Sequence, residues 1–522
     1  MTNRAPNLLL LMVDQLTPGA LPAYGNTVCR TPEIDALAAA SVVFDAAYCN
    51  SPLCAPSRYV FMSGRLPARI GAWDNAAELP SEVPTFGHHL RRAGYRTILS
   101  GKMHFCGADQ LHGFEERLTT DIYPADFGWF PDWSRPDHRP SWYHNMGSVI
   151  DAGPCVRTNQ LDFDDEVVFQ AERRLHDLAR ERDRRPFCLV VSMTHPHDPY
   201  AISRPWWDLY EGVAIDPPRV PEGGAPDDPH SRRLRHVMDL DRTPVSLAQT
   251  LRARRAYYGS ISYVDAQIGR LRRTLADCGL ADDTVTVFLG DHGDMLGERG
   301  LWYKMNYFEP ACRIPLMVHA PTRFAPARVR EAVSLVDLLP TLVDLAALPA
   351  SASAAVPLPS AAIEEIDGRS LLPHLQGRGG HDEVIGEYFG EGAVAPLLML
   401  RRGPWKFVHS PVDPDQLYHL GDDPLELHNL AVEGPDPSPA VADVLAAFRA
   451  ECAARWDCAA LDRAVRASQR RRAFVVEALA QGRPVSWDHQ PHTDASQQYM
   501  RNHIDLDDLE ARARFPLPQR GD

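Results

Sequence analysis

Apolar side chains fill the segment Asn7-Leu-Leu-Leu-Leu-Met-Val13 without the in-out alternation of a half-exposed strand. A run of that kind predicts a central strand of a parallel sheet, covered on both faces. Thr284-Val-Thr-Val-Phe-Leu-Gly290 repeats the arrangement, and Cys188-Leu-Val-Val-Ser-Met193 predicts a further strand. Helical stretches at Asp164 to Asp183 and Leu251 to Cys278 alternate with these strands, which predicts an α/β core on a mainly parallel sheet. Both long runs end in acids, the first at Asp14 and the second at Asp291-His292-Gly293-Asp294. In open α/β sheets the carboxyl ends of the strands carry the chemistry. Helix capping is the other reading of an aspartate placed there.

The pattern changes towards the C-terminus. Pro349 to Ala362 is a low-complexity insertion, read as a surface loop without chemistry. Leu397 to Val408 predicts a hairpin, Gln416 to Leu430 a strand and turn, and the Ala-, Arg- and Glu-rich region from about 440 to 480 predicts helix. Beyond Arg483 the chain is polar with little repeating apolar pattern. These shifts divide the chain into a main domain over 1–375, a smaller α+β subdomain over 376–482 and an extended tail over 483–522.

A chain of 522 residues can bury a large core. Its formal charge of −15 argues against a nucleic-acid surface and is compatible with attracting cationic esters. The 10 cysteines are dispersed with no CxxC pair, and the early apolar run stops at Asp14, too short for a secretory or membrane segment. Together these predict a reduced, cytoplasmic protein with no membrane partner.

Candidate chemistry gathers on Cys54-Ala55-Pro56-Ser57-Arg58. A cysteine, proline and arginine at that spacing can be a substrate for conversion of the cysteine to formylglycine. The hydrated aldehyde has one hydroxyl to attack a sulfur or phosphorus centre and a second whose deprotonation expels the bound group. An isolated cysteine is otherwise a small buried hydrophobe. The diol needs a divalent cation to acidify it, and Asp14 and Asp291 supply hard oxygen ligands at strand ends, beside His292.

The five residues resemble the Cys-x-Pro-Ser-Arg signature of the type I, formylglycine-dependent sulfatases. Gly101-Lys102-Met103-His104, Pro196-His197-Asp198-Pro199-Tyr200 and the block Lys304 to Leu316 follow in that family's order. The resemblance implies an alkaline-phosphatase-like sandwich and a catalytic set of Cys54, Arg58, Lys102, His104, His197 and Lys304. Lys102 and Lys304 would steady the sulfate, and His104 would hydrogen-bond the diol. His197 would face the leaving oxygen, and Arg58 would neutralise the diol. His195 is a secondary candidate, and Glu309 with Arg313 reads as a structural ion pair. The implied metal set is Asp14, residue 54, Asp291 and His292 around one divalent ion, Ca²⁺ first, with Mg²⁺ or Mn²⁺ as alternatives. Gln15 stands where many sulfatases have a second aspartate, and is an oxygen donor or a bystander.

Within that family the choline-sulfatases give a narrower resemblance. It lies at 51–56, 74–78, 112–129 and 143–148, then at Trp487 to Pro491, Tyr499 to His503 and Leu506-Asp507. It implies hydrolysis of choline sulfate, a transient encounter with a formylglycine-generating enzyme, and a homo-oligomer, a tetramer, whose tail helps close a neighbour's site. Choline's trimethylammonium has no hydrogen to donate, so only aromatic faces and carboxylates hold it. Residues 123–143 contain seven aromatic rings, most of which ordinary loop packing explains. The resemblance selects Trp129 with Asn75, His144 and Asn145, and Glu391 as the anionic partner, Glu387 being the alternative. Asp507 would add a second negative charge. A phosphonate monoester or phosphodiester hydrolase of the same superfamily is a competing reading. So is a noncatalytic choline-binding protein, which leaves Cys54, Lys102, His104 and Lys304 unexplained.

Overall fold

In the computed structural model, eight strands form the main sheet. Their order is Ala327–Ser334, Val42–Tyr48, Arg313–His319, Thr284–Gly290, Asn7–Val13, Phe187–Met193, Arg96–Gly101 and Glu116–Arg117. The structure describes residues 5–181, 183–347, 366–432, 438–484, 486–493 and 505–516. The insertion at 349–362 and the segment at 499–503 lie outside them.

Asn7–Val13 is central and runs parallel to Phe187–Met193 on one side and Thr284–Gly290 on the other. Leu8 to Val13 are fully buried, as the uninterrupted apolar run predicts, and each large side chain contributes about 2 kcal/mol by leaving water. Only Arg313–His319 runs antiparallel to its neighbours. The long helix Leu247–Asp277 packs against Asn159–Arg180, which lies on Phe187–Met193 and Arg96–Gly101. A second group joins Cys54–Ser63, Phe86–Arg92 and Leu338–Ala347.

A separate antiparallel meander, Glu383–Tyr388, Leu397–Arg402, Trp405–Ser410 and Asp413–His419, follows. It shares a small core of Leu398, Leu400, Phe407 and Leu417 with Leu445 and Phe448 of the helix Pro439–Arg455. The next helix, Cys458–Leu479, returns to the main body, with Val465 in the main core and Arg472 paired with Asp74. An exposed helix at Leu506–Ala513, unforeseen in the polar tail, is capped by Asp505. Among the described residues no helix is long and apolar enough to cross a membrane.

This topology places the site. Four adjacent parallel strands, Thr284–Gly290, Asn7–Val13, Phe187–Met193 and Arg96–Gly101, end at one edge of the sheet. Immediately after them come Asp291, Asp14, the His195–His197 turn and Lys102.

Candidate active site

Cys54 is the first residue of a ten-residue, entirely buried helix, Cys54–Ser63. Pro56 fits in that first turn because the N–H groups there lack helical partners. Arg58, one turn on, is brought back to the same end of the helix. Ser57 Oγ donates to the Asp291 carbonyl at 2.6 Å, and the Ala55 N–H donates to Asn75 Oδ1 at 3.0 Å. Arg58 is fully buried and its guanidinium is spent on the scaffold. Nε donates to Asp291 Oδ2 at 2.9 Å, Nη2 to Asp14 Oδ2 at 3.2 Å, and Nη1 to the Lys102 carbonyl at 2.7 Å and Ser192 Oγ at 2.9 Å. The guanidinium thus bridges the two carboxylates that flank residue 54.

Asp14, Cys54, Asp291 and His292 each present a ligand atom within 4.8 Å of the others, all buried. Cys54 Sγ lies 3.2 Å from His292 Nε2 and 3.8 Å from Asp14 Oδ1. His292 Nδ1 lies 3.0 Å from the Gly293 carbonyl and donates to it, so Nε2 carries the lone pair that faces the carboxylates. Two carboxylates, an imidazole lone pair and residue 54 fit a divalent cation. Burial, with Asp14 beside it, pushes the Cys54 thiol up to about 12, so an unmodified thiol there is a poor nucleophile at neutral pH.

Gly101 explains how Lys102 reaches this cluster. Its φ is +108°, and a Cβ there would sit 2.0 Å from the Ser192 carbonyl oxygen, so only glycine lets the chain turn off the strand against its neighbour. Lys102 Nζ then pairs with Asp14 and lies 4.2 Å from the centre of the Tyr123 ring. His104 packs on Tyr123 and Trp129 at ring distances of 5.1 and 6.1 Å. Burial and the charge of Lys102 bring its pKa down to about 3, and neither ring nitrogen has a partner among the described residues.

Across the pocket, Lys304 Nζ is 2.8 Å from His197 Nε2 and donates to Gln15 Oε1 at 2.6 Å. His197 Nδ1 donates to the Asp198 carbonyl at 2.7 Å, which leaves Nε2 to accept from Lys304. Burial and the Lys304 ammonium hold His197 well below the usual imidazole range. Burial opposes the charge on Lys304, but Cys54, Asp198 and Asp14 outweigh it and raise its pKa. Gln15 is fully engaged, since Nε2 donates to Asp294 Oδ2 at 2.7 Å. Its amide thereby links Lys304 to Asp294.

These groups open into a pocket of ≈ 250 Å³ whose wall includes Cys54, Asn75, Trp129, His144, Asn145 and Glu391. Glu391 is 2% exposed, and among the described residues its Oε2 receives no hydrogen bond. His144 Nδ1 lies 3.7 Å from that oxygen. Glu387 is satisfied elsewhere, accepting from the Ala68 N–H and from Trp456 Nε1, both at 2.7 Å.

A model of the sulfatase family matches residues 6–348. A second, the choline sulfatase enzyme C-terminal model, matches residues 463–515. The chain is 49% identical over 99% of its length to a choline-sulfatase of Rhizobium meliloti, of which it covers 99%. It belongs to the sulfatase family. Human iduronate 2-sulfatase is 30% identical, with 72% of this chain and 75% of that protein covered. The phosphonate monoester hydrolase of Agrobacterium radiobacter shares the fold, with a TM-score of 0.66 at 22% identity over 85% of this chain and 96% of that one.

This sulfatase departs from its sequence-based expectations at a few positions. Glu309 does not pair with Arg313; it accepts from Lys406 Nζ at 2.9 Å and from Tyr48 at 3.0 Å. His195 is pinned by Asp164 at 2.7 Å and is absent from the pocket wall. Asp507, expected to serve a neighbouring chain, is no departure: it is exposed on its helix and does not line its own chain's pocket. Tyr123, Trp142 and Asp198 line the pocket but had no assigned role. Asp198 lay inside the Pro-His-Asp-Pro motif, and the two rings lay in the aromatic-rich stretch, so only their direction was hidden.

Proposed function

We propose that this sulfatase hydrolyses choline sulfate to choline and inorganic sulfate. Glu391 carries the reading: a buried carboxylate with one oxygen lacking a donor, on the same pocket wall as Cys54, Trp129 and Trp142. Such a group is costly to bury unless a ligand's charge completes it. A trimethylammonium meets that need without a hydrogen bond, and ring faces supply the rest. The name of the Rhizobium meliloti relative supports the same substrate.

Formylglycine, made from Cys54 by a formylglycine-generating enzyme, supplies a hydrated aldehyde as nucleophile. One divalent cation, Ca²⁺ first and Mg²⁺ or Mn²⁺ next, would be held by Asp14, Asp291, His292 and residue 54 and supplies the charge that acidifies a hydroxyl. Arg58 fixes the two carboxylates. The ammonium groups of Lys102 and Lys304 face the sulfate oxygens. His104, neutral and free at both nitrogens, takes a proton from the nucleophile side. His197 and the Lys304 ammonium hydrogen-bonded to it stand at the leaving oxygen, where they stabilise its developing charge. Asn75, His144 and Asn145 shape the wall around the choline.

Ten free cysteines support a reducing, cytoplasmic setting. Assembly as a tetramer, with Asp507 reaching a neighbour's pocket, is supported by the exposure of its helix. Trp129→Ala and Glu391→Gln test the assignment. Each should lower kcat/KM for choline sulfate about tenfold or more, while a neutral aryl sulfate loses much less. Equal losses on both substrates would contradict the choline reading.

A further inference from the structure

Because Glu309 turns to Lys406, Arg313 is left without its expected partner, and it borders a second cavity. That cavity has a volume of ≈ 420 Å³ and shares no lining residue with the pocket at Cys54. It lies on the seam between the two sheets, with Tyr48 and Arg313 from the main sheet and Arg401 and Glu426 from the C-terminal part.

Its carboxylates are satisfied within the chain. Glu426 pairs with Lys406 and accepts from the Glu309 N–H at 2.8 Å, and Asp216 accepts from Tyr258 at 2.6 Å beside Arg254. Glu298 accepts the N–H groups of Arg219 and Val220 at 3.0 and 2.8 Å. Asp45 accepts from Arg328 Nε at 2.9 Å, and Asp294 from Gln15 and Tyr200 at 2.7 and 2.8 Å. The guanidiniums are not all so placed. Among the described residues Arg219, Arg313, Arg330 and Arg401 form no ion pair with a carboxylate. Arg313 Nε is buried with no acceptor. Arg401 lies over the Tyr48 ring at 4.7 Å and Arg313 over Tyr24 at 5.9 Å. Arg401 Nε donates to the Gly403 carbonyl at 3.5 Å, and stacking leaves its outer edge and that of Arg313 for a ligand; a guanidinium edge matches a carboxylate or phosphate. Burial brings Arg401 down to about 10, as for a cation with too little negative charge around it.

We propose that this cavity binds a small organic dianion, a dicarboxylate or a phosphate monoester, gripped by Arg313 and Arg401 with Arg219 and Arg330 at the mouth. Its volume exceeds that of the pocket at Cys54, so the site suits a dianion with a carbon skeleton better than bare inorganic sulfate. A ligand held by both arginines bridges the two sheets.

Calorimetric titration of the full chain with succinate and with glycerol 3-phosphate tests this, together with thermal unfolding against potassium chloride of equal ionic strength. At least one probe should bind saturably and raise Tm above the chloride control. Arg401→Gln and the exposed Arg330→Gln should each weaken binding, by about tenfold for Arg401→Gln, without changing kcat/KM for choline sulfate measured in the probe's absence. The Arg330→Gln variant keeps the test valid if the buried substitution unfolds the chain. No saturable binding of either probe at millimolar concentration overturns the proposal. So does binding that survives both arginine variants and disappears with Lys304→Ala, which would put the probe in the pocket at Cys54.

Discussion

At the scale of single residues, the molecule separates side chains that do chemistry from those that aim them. Gln15 belongs to the second kind: its carbonyl oxygen accepts a hydrogen bond from Lys304 Nζ at 2.6 Å and its amide is tied to Asp294. Gln15→Leu should therefore lower kcat/KM by roughly ten- to a hundredfold while elemental analysis still finds one divalent ion per chain. Loss of the ion in that variant would make Gln15 a ligand after all. Cys54→Ser offers an alcohol that attacks but lacks a second hydroxyl, so intact-mass spectrometry should find a persistent sulfate adduct; rapid turnover by the serine variant would remove the case for formylglycine. Residue identity was highly legible here, since Asp14, Cys54, Asp291, His292, Lys102, His104, His197 and Lys304 all gather as expected. Partnering was not. Whether Glu387 or Glu391 carries the free oxygen depends on Trp456, 69 residues beyond Glu387, and Glu309 found Lys406, 97 residues away, before Arg313. Such choices are made by tertiary packing, which local spacing does not encode.

At the scale of elements, the strand ends deliver the chemistry and the C-terminal helix Cys458–Leu479 braces one wall of the pocket. Arg472 meets Asp74 in a buried pair, Nη2 to Oδ2 at 2.8 Å, next to Asn75, which holds the Ala55 N–H. Removing one partner of a buried pair strands the other charge and costs about 3–5 kcal/mol. Arg472→Met should accordingly lower the urea midpoint and raise KM for choline sulfate more than it lowers kcat; an unchanged midpoint would mean that the helix is not a brace. Acid sensitivity has a source in the His112 segment. Burial brings His112 down to about 4, despite Asp109 at 3.3 Å. The unfolded chain takes up this proton below about 6.5 and the folded chain does not until about 4, so stability falls as pH drops through that window. His112→Gln should flatten the pH dependence of the unfolding free energy between those values, and an identical slope in both proteins would contradict it. The strands themselves were read from unbroken apolar runs because both faces are covered. The helix Leu506–Ala513 was missed because it is short and exposed, with Leu506 and Leu509 as its only large apolar residues.

At the scale of the whole molecule, a mainly parallel sheet, an antiparallel meander and a returning helix bring residues 54 to 391 around one pocket. The fold does not choose the substrate, for a phosphonate monoester hydrolase shares it at a TM-score of 0.66. We place the choice in the pocket wall that Trp129, His144 and Glu391 line. The most direct test is therefore the ratio of kcat/KM for choline sulfate to that for an aryl phosphonate monoester, measured on one preparation. The account predicts a ratio well above one that collapses towards one in Glu391→Gln. A ratio below one in the unaltered protein would contradict it and assign the pocket to phosphorus esters.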